Sequence, residues 1–445
     1  MANSRSGRSG GQVSSAASAR PPIRLAAIDV GSNSIHMVIA QAESGGGLTT
    51  ICRMKEMVGL GRISFRSNRL TKETMRRAML VLGRFQQAAL HRGADKIIAV
   101  ATSAVREAEN GGDFLRRAWN QLGLRIKVVA AREEARLIYL AVRHSVALKR
   151  EPTLVIDIGG GSVEFIVGND KQAMVLESRK LGAARMTSQF VRSDPISSAD
   201  RQALTEHYKK EVASVRQAMG GLAINRVIGT SGTMENLAAM CAGVSEAPAP
   251  ITRPAFIDRN AFEQVLGRLL KADAAERSRI AGLDEQRKDQ IVAGALLVHE
   301  LFEEFGFRRI QICPTAMREG ILLDYLARHV PDLAIRSEVP DPRRRSVIDL
   351  GRRCDWHRGH AEHVTQLALQ LFDQTRSLHG LSVIERELLE YASLLHDIGW
   401  HISGKSHHKH SMYLILNGNL KDFTPEETTI MACIARYHRK SLPRA

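Results

Sequence analysis

A chain of 445 residues exceeds one ordinary core, and about 150 residues per domain predicts two to four domains. Hydrophobic residues make up 44% and charged residues 25%, a globular balance that excludes wholesale disorder. Lys and Arg outnumber Asp and Glu by 63 to 47, and the resulting +16 favours a polyanion as partner: nucleic acid, polyphosphate or an anionic membrane surface.

Residues 1–22 hold Ser, Gly, Ala and Arg without an apolar stretch, so they read as a basic arm rather than a secretory signal. Strands are predicted over 25–30 and 35–42, then a helix over 72–91, strands over 97–101 and 126–130, and a helix over 132–148. The pattern continues with strands 153–158 and 163–167, helix 199–219, strand 226–228, and helices 234–241, 287–305 and 318–328. Short β-rich runs alternating with longer helices predict α/β layers around a largely buried sheet. Residues 331–342 hold three prolines and read as a linker; beyond them the predicted segments (361–378, 383–395, 411–416, 425–437) are all helical. The expected divisions are 23–143, 144–330 and an all-α domain over 343–445. No apolar run reaches the roughly 18–20 residues of a membrane helix, so no integral membrane association is expected. The five cysteines (52, 241, 313, 354, 433) form no C-x-x-C pair, which points to a reducing cytoplasm and against a Cys-ligated zinc.

One frame occurs twice. Asp29-Val-Gly-Ser-Asn-Ser-Ile-His-Met-Val-Ile39 and Asp157-Ile-Gly-Gly-Gly-Ser-Val-Glu-Phe-Ile-Val167 match with an offset of 157 − 29 = 128 residues. That spacing is too long for a solenoid and indicates two related halves. Each copy is a glycine turn between two apolar strands, Gly31-Ser32-Asn33-Ser34 and Gly159-Gly160-Gly161-Ser162. Such turns let backbone N–H groups and hydroxyls converge on phosphate. A single copy would serve equally as a hairpin turn; turn chemistry alone does not require the frame twice. Asp29 and Asp157 precede the turns. Carboxylates beside phosphate repel it unless a cation intervenes, which implies Mg²⁺. A third loop, Thr230-Ser231-Gly232-Thr233, runs from a strand into a helix and suits an anion through its free N–H groups.

Two further residues stand out. Glu134 lies in the first turn of the 132–148 helix, a position the helix dipole favours for any carboxylate. Arg106 follows a strand end and is able to clamp a phosphate, although a solvated surface arginine fits the same pattern.

Together these stretches resemble the exopolyphosphatase/guanosine pentaphosphate phosphatase family, within the sugar kinase, chaperone ATPase and actin superfamily. The matching segments are AAIDVGSNSIHMVI (26–39), ATSAVREA (101–108), EEARLIY (133–139), VIDIGGGSVEFIVG (155–168), GTSGT (229–233) and REGILLDYL (318–326). The resemblance implies two ribonuclease H-like α/β halves of the actin and sugar-kinase type, an active site in the cleft between them, and a homodimer. It implies Glu134 as general base for the attacking water, Arg106 on the phosphate chain, and Asp157 and Glu164 at the Mg²⁺ site. Residues 31–34, 159–162 and 230–233 would be the phosphate loops. The expected reaction is release of terminal phosphate from inorganic polyphosphate. Guanosine pentaphosphate hydrolysis by the same site and a non-catalytic polyanion-binding regulator are the alternatives. Nucleic acid is a poor candidate, because 5% aromatic content offers few stacking platforms.

The helical domain resembles HD-type metal phosphohydrolases, with His360, His396 and Asp397 at its motif positions. The last aspartate usual there is lacking, so an incomplete copy is expected. Longer relatives carry a segment like Ala435-Arg-Tyr-His-Arg-Lys440. The reading favoured for this domain is structural, dimerising or polyanion-binding, with His407–His410, Lys405 and Lys409 as a basic face. An alternative makes it the enzyme and the front half a binder.

Overall fold

The computed structural model describes residues 22–42, 48–244, 255–330 and 341–439. The expected basic arm apart from Pro22, and the linker apart from Asp341 and Pro342, lie outside the described residues.

The first sheet contains β1 (Ile23–Val30), β2 (Ser34–Ala42), β3 (Leu48–Met57), β4 (Lys96–Ala101) and β5 (Ile126–Val128), in the order β3-β2-β1-β4-β5. The second contains β6 (Thr153–Ile158), β7 (Val163–Gly168), β8 (Ala173–Arg179), β9 (Arg226–Thr230), β10 (Phe256–Asp258) and β11 (Arg309–Ile312), in the order β10-β11-β9-β6-β7-β8. In each, an antiparallel meander is followed by parallel strands added on its first member. The sequence repeat is therefore a repeat of a whole sheet, with β10 as an addition. Even the register is kept: Asp29 opposes His36, and Asp157 opposes Glu164.

Alternation along the strands builds the cores. Ala26, Ile28, Met37 and Ile39 face one way, into a core with the Lys72–His91 helix. Leu25, Ala27, Val38 and Ala40 face the other, and meet Val155, Ile166 and Ile228 of the second sheet through the helices Ala131–Ser145 and Met317–His329. Leu154, Ile156 and Phe165 point outward, under Ser198–Ala218 and Ile291–Phe305. β6 and β7 are buried on both faces, which is why they read as nearly unbroken apolar runs. The two layer-joining helices cross closely: a Cβ on Gly320 would run into the carbonyl oxygen of Leu137.

Residues 342–437 are all helical around a core of Val347, Leu350, Leu388, Tyr391, Leu395, Ile415 and Met431. Asp422 ties this region to the second half, accepting from the N–H of Ala147 at 2.8 Å and from Gln311 at 3.2 Å. Among the described residues, no helix is long and apolar enough to cross a membrane.

Several elements differ from expectation. β3, β8, β10 and β11 were not predicted, nor the helix Arg259–Lys271. The helix predicted from 287 starts at Ile291, because Glu285–Arg287 forms a separate 3-10 turn with Asp284 as its cap. Pro342, assigned to the linker, opens the helix Pro342–Arg353, where its missing N–H costs nothing. The helix predicted over 361–378 is two, Arg358–Gln374 and Arg376–His379.

Candidate functional site

The two glycine bends meet. A Cβ on Gly160 would lie 3.0 Å from the Cβ of Asn33, and one on Gly161 would lie 2.7 Å from Ser32 Oγ. Each bend closes on the same hydrogen bond, Gly31 N–H to Ser34 O and Gly159 N–H to Ser162 O, both 3.1 Å. Their carbonyls are used behind them. Gly159 O and Gly160 O accept from Ala183 and Arg185, each at 3.0 Å, and Gly161 O accepts from Arg185 Nε at 2.7 Å. Ser32 O accepts from Gly61, and Asn33 O from Val58 and Gly59. In a trans peptide the next N–H points opposite to the carbonyl. The amides of Asn33, Gly160, Gly161 and Ser162 are thereby turned the other way, and all four residues line a cavity of about 360 Å³.

Asp29 and Asp157 lie on this same cavity, as do Glu164 and Glu134. Of the residues expected from sequence for this site, only Arg106 and Thr230 do not form its wall. Thr230 stands behind and donates to Asp157 Oδ2 at 2.9 Å. Arg106 braces Glu134, with Nη1 3.2 Å from Oε2 and 2.7 Å from Val129 O. Ser231, with φ 72°, starts the Ser231–Val244 helix, whose first turn brings Ser231, Gly232 and Thr233 to the wall.

The carboxyl groups crowd one another. Burial pushes Asp29 up to about 7 against the pull of Arg318, and Asp157 and Glu319 add to the rise. Burial likewise pushes Glu134 up to about 8, opposed by Arg106 and reinforced by Asp29 and Asp157. Asp157 is raised by burial, against hydrogen bonds from Ser231 and Thr230. Glu164 is raised by burial and then by Glu134 and Asp157. Asp29 Oδ1 is buried without a hydrogen-bond partner. An orphaned oxygen among mutually repelling carboxyls suits a hard divalent cation. Among the described residues no three of these acids bring ligand atoms within 4.8 Å of one another. That fits Mg²⁺, which commonly takes one or two carboxylates and completes its shell with water and phosphate oxygens.

Sequence reasoning missed the cationic wall. Arg318, at the start of Met317–His329, contacts His36 Nδ1, and Arg287 rests its guanidinium on Gly232. Both line the cavity, with Arg53 and Lys55 of β3. Lys55 is held by Asp284 at 2.9 Å and Arg53 by Glu319 at 3.1 Å. Burial and then the Arg318 charge hold His36 well below its ordinary range, so its ring is neutral. The available signal for β3 was its alternation: Cys52 and Met54 pack on the core while Arg53 and Lys55 share the opposite face.

His360, His396 and Asp397 also come together, but outside this cavity, at 3.5 and 3.4 Å from the imidazoles to Asp397 Oδ2. The expected basic face at 407–410 needs correction. His407 and His408 are buried on the inner side of the helix His407–Asn417, leaving Lys405 and Lys409 exposed.

The Ppx/GppA phosphatase family model matches residues 38–329, and that of Ppx/GppA phosphatase domain III matches 343–445. The chain belongs to the Ppx/GppA phosphatase family. It is similar to an exopolyphosphatase from Cytophaga hutchinsonii (27% identity, 68% of this chain and 98% of that one, TM-score 0.65). It is also similar to the Aquifex aeolicus family member (26% identity, 69% and 99%, TM-score 0.59). The fold is thus two actin- and sugar-kinase-like α/β halves with a helical region after them, and the family makes the chain a phosphoanhydride hydrolase.

Proposed function

We propose that this chain is an exopolyphosphatase that removes terminal orthophosphate from linear polyphosphate with Mg²⁺, Glu134 acting as general base. The observation that carries this reading is the contact between the two amide-lined bends beside the Glu134–Arg106 pair. The amides of Asn33, Gly160, Gly161 and Ser162 and the start of Ser231–Val244 would hold the terminal phosphoryl groups. Glu134 would orient water and take its proton as the water oxygen bonds to the terminal phosphorus. The bridging P–O bond then breaks, and the electron pair leaves with the shortened chain. Arg318, Arg287 and Arg53 offset the charge of the phosphoryl oxygens. Mg²⁺, held by Asp29 and Asp157 with Glu164 nearby, supplies further neutralisation when bound. Arg106, outside the cavity wall, would act through Glu134, orienting its carboxylate.

The rival substrate, guanosine pentaphosphate, shares the terminal anhydride. Among the described residues the cavity wall carries no Phe, Tyr or Trp, and His36 is its one aromatic ring. A higher kcat/KM for long-chain polyphosphate than for the nucleotide is expected, and the reverse order would reassign the substrate. Replacing Glu134→Gln tests the base. Phosphate release should fall about 10²–10⁴-fold with polyphosphate binding retained; full activity would sink the assignment.

A further inference from the structure

A second cavity, of about 250 Å³, lies where β3, the end of the helix Ala131–Ser145, β11 and the helix Pro342–Arg353 meet. Leu48, Val146, Ile312 and Leu420 make part of its wall apolar. Another part is crowded with donors. Arg345 Nη1 lies 2.8 Å from Nδ1 of the buried His144. A guanidinium only donates, so Nδ1 accepts and the ring proton sits on Nε2. That N–H meets the Lys421 ammonium at 3.4 Å, donor against donor. Ser145 Oγ, next to His144 in the chain, is buried with no hydrogen-bond partner. The acids of the wall are answered elsewhere: Arg53 holds Glu319 at 3.1 Å, Arg352 lies 3.7 Å from Asp349, and Asp422 accepts from Ala147 and Gln311. Among the described residues Lys421 and Arg353, both on the wall, make no ion pair.

We propose that this cavity takes a small organic anion, its oxyanion head against Lys421, His144 and Ser145 and its apolar body over Leu48, Val146 and Leu420. An oxyanion there gives these donors the acceptor they lack, and a buried donor left unmet is costly. Bare polyphosphate is charged along its whole length and gains nothing from an apolar wall, so the substrate chain is the poorer occupant. Arg53 and Pro314 line both this cavity and the phosphate cavity. A negative charge beside Arg53 draws on a guanidinium that offsets phosphoryl charge, so occupancy weakens polyphosphate binding and leaves the chemical step alone. Binding of the anion is independent of the exopolyphosphatase reading; the effect on KM rests on it.

The test titrates the full chain, at about 0.15 M salt, with anilinonaphthalene sulfonate, an organic anion that brightens in apolar surroundings. Saturation at one equivalent is expected, with KM for polyphosphate raised several-fold and kcat unchanged. Lys421→Met should weaken probe binding about tenfold or more. Thr49→Trp, at an exposed position on the cavity wall, should do the same by filling the space without disturbing a core. Tripolyphosphate saturating the Glu134→Gln chain should leave the probe bound. Unchanged probe affinity in Thr49→Trp, or displacement by tripolyphosphate, would overturn the site; an unmoved KM with the probe bound would overturn the coupling through Arg53.

Discussion

Glu134 shows how much of a residue's chemistry its surroundings write. The first turn of Ala131–Ser145 and the Arg106 guanidinium both favour the ionised form, yet burial outweighs them and the carboxyl rises to about 8. Asp29 rises to about 7 for the same leading reason. In the metal-free protein Glu134 therefore holds its proton below that range. A base must be ionised, so kcat/KM should climb with pH. At saturating Mg²⁺ the rise should fall below the value of about 8 that holds without the cation, because bound Mg²⁺ offsets the Asp29 and Asp157 charges that push Glu134 up. Stability has the opposite sign. Between an unfolded value near 4.5 and a folded value near 8 the native state binds more protons, so stability is lost as pH increases. Urea midpoints at pH 6 and pH 8 should separate more for the native chain than for Glu134→Gln. The place of Glu134 on the cavity wall was legible because it follows a strand end within a matching segment, whereas Arg106, expected on the phosphate chain, lies off the wall and pairs with Glu134 instead. Arg318 and Arg287 were not, since an arginine becomes a wall residue only when distant segments, residues 229–233 and 31–36 among them, are folded against it.

At the level of elements, the bends matter more than any one side chain they carry. Gly161 shows the constraint: a Cβ there would lie 2.5 Å from Phe65 Cζ and 2.7 Å from Ser32 Oγ. Gly161→Ala must displace the side chains of Ser103, Phe65 and Ser32 packed against the bend. We expect a cost of about 1–3 kcal/mol in urea denaturation, with phosphate release falling further than stability does. The strands carrying the bends were readable because β1, β2, β6 and β7 are apolar and buried. β3 was not. Only one of its faces meets a core, its charged face lines the cavity, and half-buried alternation with Arg and Lys resembles a loop in sequence. β10 and β11 are too short, at three and four residues, to leave a period. The inward turn of His407 and His408 was likewise invisible, because a run of His and Lys reads as a basic surface until the packed side of the helix is known.

Across the molecule, the +16 charge acts at longer range than the cavity wall. Raising ionic strength from about 0.01 to 0.15 M shortens the screening length from about 30 to 8 Å. KM for long-chain polyphosphate should therefore rise several-fold over that interval, and KM for a short oligophosphate much less; equal salt responses would confine recognition to the crevice. The order of the two halves was legible from their duplicated frame, but their joining was not. It depends on contacts such as Gly320 with Leu137, whose partners are 183 residues apart. That crossing has a mechanical consequence. One helix brings Glu134 to the crevice by its first turn, and the other brings Arg318 by its own. Backbone meets backbone at that point, and Leu137, Ile138, Ile321 and Leu322 pack in the core around it, so the pair is expected to move as one body. Any opening of the crevice between the sheets is then expected to carry Glu134 and Arg318 together, leaving their mutual spacing unchanged while the entrance widens.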